Sequence, residues 1–212
     1  GEWHTPKCLC IIDDYSRLAC HIQWFLDEDT DCLVHGFIQA LQKRGLPREL
    51  MTDNGKPMKS AEFQNGLKDL GILWSPTLNY APNQNGKQEV FWTSLEGRLI
   101  AMIENVEDLS LKTLNDATIA WIEMEYNKQV HSETKQQPIE RYLTGKNVSR
   151  VCPEADDLNF AFTRFEHRQQ KRSDGTIRLN GTLFEIPSRH RHLETVHLRY
   201  ASFKPNKVFI VD

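Results

Sequence analysis

The chain has 212 residues, a formal net charge of −3, 39% hydrophobic and 26% charged side chains, and a mean hydropathy of −0.56. Such a length suits one large or two small domains with a proper core, and with no run near the ~18 apolar residues that would cross a bilayer, no membrane partner is expected. The charge is unevenly placed: residues 160–212 carry 10 Lys and Arg against 5 Asp and Glu, whereas residues 1–159 carry 16 against 24, so a basic module is expected to follow an acidic core.

Taken in order, residues 7–13 form a short apolar run that reads as a buried strand. Asp13-Asp14-Tyr15-Ser16-Arg17 is turn chemistry, and Leu18 to Phe25 reads as the returning strand of a hairpin. Asp29 or Thr30 can cap a helix carrying Cys32, Leu33, Phe37, Ile38 and Leu41, which Gly45 ends with Pro47 just beyond. Leu50 to Asp53 is a further strand. Ser60 caps a helix through Phe63, Leu67 and Leu70 that stops at Gly71, and Ile72 to Trp74 returns as a strand. A long helix is expected from about Gln84, with Phe91, Leu95, Leu99 and Met102 at core spacing and Asn85, Glu89, Trp92 and Glu96 on another face. Another runs from Ser110 or Leu111 to Asn127. Turn formers without a clear period occupy residues 146–159, and a linker is expected there. Beyond it the period becomes two, with Phe160, Phe162 and Phe165 followed by Ser173-Asp174-Gly175 and Asn180-Gly181 as hairpin turns. Some five short strands then suggest a small barrel.

Five cysteines, Cys8, Cys10, Cys20, Cys32 and Cys152, form an odd set without metal-like clustering. Cys8 and Cys10 are expected to face opposite ways along one strand, against a shared zinc, and reduced thiols in a cytoplasmic protein are the simplest reading. Asp53 closes the apolar run Leu50-Met51 with Asn54-Gly55 behind it, and Glu89 opens the long helical pattern after 35 intervening residues. A carboxylate at a strand's end and another on a later helix can converge. Two hard oxygen ligands at one point suit Mg²⁺ or Mn²⁺, with positions left open for phosphate oxygens and water.

Thr52-Asp53-Asn54-Gly55, the 35-residue spacer and Tyr80-Ala81-Pro82-Asn83-Gln84-Asn85-Gly86-Lys87-Gln88-Glu89 resemble the second and third acidic residues of a D,D(35)E core. Retroviral integrases and bacterial insertion-sequence transposases share that pattern. Ile11 to Arg17 resembles the strand after the first catalytic Asp, and Tyr126-Asn127, His131-Ser132 and Pro138 to Tyr142 resemble the segment closing such cores. The stretch after residue 160 resembles the small β-barrel that follows the core in phage Mu-type transposases.

The resemblance implies an α/β, ribonuclease-H-like mixed five-stranded sheet with flanking helices over residues 1–145, a linker over 146–159, and a small all-β barrel over 160–212. It implies a DNA transposase or integrase that cleaves phosphodiesters and transfers strands with two Mg²⁺ or Mn²⁺ ions. Asp53 and Glu89 are the expected catalytic metal ligands. DNA, as transposon ends and target, is the expected partner of a homo-oligomer in the bacterial cytoplasm at the nucleoid, met by Asn85, Lys87, Arg168, Lys171 and Arg172. The first Asp of the pattern is expected on a strand upstream of Gly1, which would leave this chain alone inactive. Asp13 and Asp14 follow the strand that the first Asp should precede, so they read as turn residues. Trp92 reads as packing against the sheet. The rival from another class is a non-catalytic DNA-binding or assembly module derived from such an enzyme.

Overall fold

Lys7–Ile12 (β1) turns back at Asp13–Leu18 into Ala19–Phe25 (β2), and the two pair antiparallel with Lys7 opposite Phe25 and Cys10 opposite Ile22. These elements belong to a computed structural model of the chain, which describes residues 4–77, 86–107, 109–201 and 207–211. Thr30–Arg44 (α1) follows, capped by the Asp29 carboxylate, which accepts from the Cys32 N–H. It ends at Gly45, whose φ of 82° lies in the left-handed region. A side chain there would also meet the Arg150 carbonyl at 2.8 Å, so glycine is required twice over. Glu49–Thr52 (β3) and Leu73–Pro76 (β4) pair in parallel, joined by the crossover helix Ala61–Asp69 (α2), which the Ser60 hydroxyl caps at the Phe63 N–H.

Both ladders lie on one helical layer. Leu9 and Ile11 of β1, Leu50 of β3 and Trp74 of β4 pack against a cluster formed by Leu33, Val34, Phe37, Ile38 and Leu41 of α1 and Phe63 and Leu67 of α2. A second layer covers the other face of the β1–β2 ladder. It contains Phe91 of Gly86–Ser94 (α3), Leu95 and Leu99 of the π-helical turn Leu95–Ile100, and Trp121 and Ile122 of Leu111–Met124 (α5). Among the described residues the sheet is therefore two ladders, β1–β2 and β3–β4. The mixed α/β core agrees with the expected class, and four of its strands are seen.

Cys8 and Cys10 do not face opposite ways. Both pack into the second layer, together with Ile12 and Trp24, because residues two apart on a strand share a face. What argues against a metal-binding role is burial, which pushes the Cys8 thiol up to about 12 and raises Cys10 as well, keeping both protonated. Met102 departs from its expected core position too, and is 66% exposed. The π turn adds one residue to the helix, so the half-buried Ile103 of Ala101–Ile103 (α4), four positions after Leu99, takes the inward place.

The outer border of β2 is closed by side chains. Asn115 accepts from Trp24 N–H at 2.8 Å and donates to Trp24 C=O at 3.1 Å. Asn127 treats Ala19 the same way, at 3.0 and 3.3 Å. Each amide thus supplies the donor and acceptor that a neighbouring strand would have offered. Since Trp24 spends its groups on Asn115, the pair Cys8–Trp24 exchanges no bonds across the ladder. Alternation then turns the backbone groups of Cys8 and Cys10 toward the opposite border of β1.

The stretch expected as a linker is tied down. Arg150 exchanges backbone bonds with Leu46 at 2.9 and 3.0 Å, and its guanidinium donates to the carbonyls of Pro47 and Gly71, both at 3.0 Å. Pro138–Thr144 (α6) precedes it, and its end runs into Ala155–Ala161 (α7), so Phe160 is helical rather than the start of a period-two run. Phe162 packs on both Phe37 and Phe63, with ring centroids at 6.0 and 5.9 Å, while those two rings lie 5.5 Å from each other. Its place depends on Gly66: an added Cβ there would stand 2.0 Å from the Phe162 ring.

The last module has a three-stranded sheet, Arg164–Gln169 (β5), Thr195–Tyr200 (β8) and Val208–Ile210 (β9), in the order β5-β8-β9. It also has a hairpin, Thr176–Leu179 (β6) with Thr182–Glu185 (β7), turned by Asn180 and Gly181 at φ 47° and 83°. Ile177, Ile186, Val196 and Leu198 form their common core. This module is fastened to α2. Arg164 makes a two-armed pair with the fully buried Glu62 at 2.7 and 2.9 Å, and the buried Arg199 reaches Asp69 at 2.7 Å.

Two consequences are measurable. In an ordinary helix interior Gly→Ala stabilises by about 1 kcal/mol. Gly66→Ala is expected to lower the urea midpoint instead, because the methyl evicts Phe162, and Phe162→Ala to cost about 3–5 kcal/mol. A Gly66→Ala protein more stable than wild type would break this account of the joint. His21 is buried against α1, and burial, aided by Lys43 and His35, lowers its pKa to about 4. The folded state then binds fewer protons than the unfolded chain, so this contribution is full above the ordinary histidine pKa and is lost as pH falls from about 6.5 toward about 4. Thermal midpoints measured down that range should drop, and less steeply for His21→Gln.

Candidate active site

Asp53 directly follows β3 and Glu89 sits in the first turn of α3, both exposed to solvent. One Asp53 oxygen accepts the Gly55 N–H at 2.9 Å, which shapes the turn. The strand end is fixed to its neighbour: Asn54 donates to the Thr77 carbonyl at 2.7 Å, Thr77 N–H to the Thr52 carbonyl at 2.8 Å, and Trp74 Nε1 to Thr52 Oγ1 at 2.9 Å. Asn54 is therefore a turn and tether residue. Glu89 rides on a helix whose inner side is anchored by Phe91 and Leu95. Trp92 packs against the same layer, edge-on to Phe91 at 5.4 Å.

Lys87, expected at a DNA phosphate, is ion-paired with Asp14 of the β1–β2 turn. That turn is rigidly placed. Asp13 accepts from Ser16 N–H at 2.8 Å and from its hydroxyl at 2.6 Å, so Asp13 is spent on the turn. Arg17, at φ 68°, reaches Glu133 at 3.1 Å. Arg141 donates to Tyr15 C=O at 2.9 Å while its guanidinium lies 4.2 Å from the Tyr15 ring centre. Sequence reasoning placed Arg17 in the turn and Arg141 in a segment closing the core, and did not single out Glu133. Asn127, also part of the frame of this turn, lay in the segment already noted as closing the core.

Asn85 lies outside the described residues. The expected basic patch on the last module is engaged locally: Arg168 pairs with Glu166, Lys171 with Asp174 at 2.8 Å, and Arg172 with Glu194 at 2.7 Å. All three pairs are partly or largely exposed, so each stabilises the fold by no more than about 1 kcal/mol.

The donor chemistry of Asp53 and Glu89 fits a hard divalent cation, since two carboxylates leave coordination positions for water and phosphate oxygens. Among the described residues no group of three His, Cys, Asp or Glu stands at metal-binding spacing. The arrangement is thus two exposed carboxylates at a strand end and a helix start, with a lysine and the acid-rich β1–β2 turn beside the helix.

This architecture is a mixed α/β fold resembling the catalytic core of retroviral integrases. Residues 1–82 match the family model described as the integrase core domain. The fold is similar to the catalytic core domain of BIV integrase, at 22% identity and a TM-score of 0.53 over 68% of this chain and 89% of that one. The HTLV-2 integrase catalytic core domain in complex with magnesium matches at 18% identity and a TM-score of 0.50, over 65% and 93%. A simian T-cell lymphotropic virus intasome in complex with PP2A regulatory subunit B56 gamma matches 98% of this chain and 70% of its own, at 14% identity and a TM-score of 0.59. Over 68% of this chain the fold is therefore similar to that of a retroviral integrase catalytic core.

Asn127 gives the sharpest test of the frame. Asn127→Ala leaves the buried Ala19 N–H and C=O without their partner and is expected to cost about 2 kcal/mol or more in chemical denaturation. Lys87→Met, at an exposed pair, should cost under about 1 kcal/mol. Equal losses in the two variants would contradict this division.

Proposed function

We propose that this chain forms the catalytic core and following β module of a DNA integrase or transposase of the insertion-sequence type, performing metal-dependent phosphodiester cleavage and strand transfer. The observation that carries the reading is the placement of Asp53 at the end of β3 and Glu89 in the first turn of α3 on a retroviral-integrase core fold. Asp53 and Glu89 would hold Mg²⁺ or Mn²⁺, which when bound supplies charge to a phosphoryl oxygen and a more acidic water or hydroxyl. The chain's own contribution is placement: the Asn54 and Trp74 tethers fix the strand end, and the buried side of α3 fixes Glu89. Lys87 would leave Asp14 for a backbone phosphate, an exchange made easy by the exposure of the pair. Asn85, Arg168, Lys171 and Arg172 are the further proposed DNA contacts, and the two sheets of the last module are taken as halves of a small barrel. The DNA-bound form is proposed as a homo-oligomer.

The third carboxylate is proposed on a strand N-terminal to Lys7 that would lie between β1 and β3. The support is the pair of open borders: β1 offers the backbone groups of Cys8 and Cys10 on the side away from β2, and β3 pairs only with β4 among the described residues. Both ladders rest on the same α1–α2 layer, so an inserted strand would join them into one sheet. The absence of a third ligand among the described residues favours, as a second reading, a non-catalytic DNA-binding or assembly module.

A chain extended upstream, assayed with Mg²⁺ or Mn²⁺ on DNA carrying its cognate ends, should cleave and join strands. Asp53→Asn or Glu89→Gln should abolish this while leaving the fold intact. Near-normal rates in either variant would remove that residue from the site, and an inactive, well-folded extended chain that still binds DNA would favour the second reading.

A further inference from the structure

The outer face of the β5-β8-β9 sheet carries a run of aromatic and cationic side chains that the proposed chemistry leaves unused. Register fixes it: Phe165 stands opposite Arg199, which stands opposite Phe209, and His167 stands opposite His197. Residues paired directly across strands share a face, so these five lie together, while Val196, Leu198 and Ile210 point into the module's core.

One end of this face is closed and the other is open. Arg199 is buried, sandwiched between the Phe160 and Phe165 rings at 4.2 and 4.4 Å and held by Thr163 and Asp69, both at 2.7 Å. Phe160 in turn meets Phe209 edge-on at 4.9 Å, and Lys207 lies 5.2 Å from the Phe209 ring centre. This stack immobilises Phe165 from behind, yet the ring remains 60% exposed. Beside it, the His167 and His197 rings lie 6.5 Å apart and both residues are exposed. A guanidinium pinned under an aromatic ring keeps that ring at a set angle without covering its outer face. An exposed, pre-positioned ring flanked by two imidazoles on adjacent strands offers flat surfaces to other flat groups.

We propose that this face is a stacking platform for unpaired nucleotides of single-stranded DNA, with Phe165, His167 and His197 as its base-contacting residues. The choice of a polyanion over an apolar protein partner rests on charge: residues 160–212 carry 10 Lys and Arg against 5 Asp and Glu, and only unpaired bases present their π faces to such a surface. The inference rests on the reading of DNA as partner and deepens it by separating two kinds of contact. The ion-paired Arg168, Lys171 and Arg172 belong to phosphates of any strand, whereas the sheet face belongs to splayed bases.

The test is fluorescence anisotropy of the full chain, in chelator and therefore without metal, against a mixed-sequence single strand and a blunt duplex of equal length. The single strand is expected to bind more tightly. Phe165→Ala should weaken it roughly 5- to 100-fold, the range of one lost base stack, with His167→Ala acting in the same direction. Duplex affinity should stay near wild type for both variants; the thermal midpoint should stay near wild type for His167→Ala and fall for Phe165→Ala, which removes one wall of the Arg199 stack. Unchanged single-strand affinity in the two variants, or an equal loss on duplex and single strand, would overturn the platform. Duplex binding without any single-strand preference would overturn it too, while leaving the integrase reading in place. Single-strand binding that responds to Phe165, together with an upstream-extended chain inactive in cleavage, would support the platform and count against the catalytic reading alone.

Discussion

The β module is joined to the core through one helix, at the contact between the Phe162 ring and the bare backbone at Gly66. That face of α2 is spaced for the purpose: Glu62, Gly66 and Asp69 fall at i, i+4 and i+7, so a carboxylate, a notch and a second carboxylate line up along it. The notch takes Phe162, and the flanking acids take Arg164 and Arg199 from β5 and β8. Glu62 is 1% exposed, and an unpaired charge at such a depth would cost several kcal/mol, on the order of 3–5. The two-armed bond from Arg164 answers that cost and at the same time fixes the angle of the sheet. Packing, charge and orientation are thus settled at one interface, which makes the core and the β module a single frame.

The sheet of the core shows the opposite economy at its two borders. Around β2, the amides of Asn115 and Asn127 occupy backbone groups that would otherwise recruit a strand. Along β1 and β3 no such covers are found among the described residues, although edges of this kind invite pairing. Two asparagines thus do for β2 what a neighbouring strand would do, each through one amide.

Local chemistry made much of this visible in advance. The caps at Asp29, Ser60 and Ser110 and the stops at Gly45 and Asn180-Gly181 act through neighbours three or four residues away, so they can be read from a short window. Asp53 and Glu89 were legible for the same reason, as a strand end and a helix start. The hidden features all depend on distant partners. The engagement of Lys87 by Asp14 and of Arg172 by Glu194 joins residues far apart in the chain. Helix α7 was masked because Phe160 and Phe162 mimic a strand's alternation, while their actual targets are Phe209 and the α1–α2 layer. Nothing near Gly66 in sequence announces that its missing side chain is filled by a ring almost a hundred residues on.

The π turn at Leu95–Ile100 also carries information about descent. Its extra residue leaves the inner face of the helix intact up to Leu99 and shifts every later position by one. A relative whose helix runs as a plain α-helix would therefore align without a gap through Glu89 and Phe91 and need a one-residue deletion before Ile103. An insertion placed there, two turns beyond Glu89, alters what the helix presents at its far end without moving its first turn.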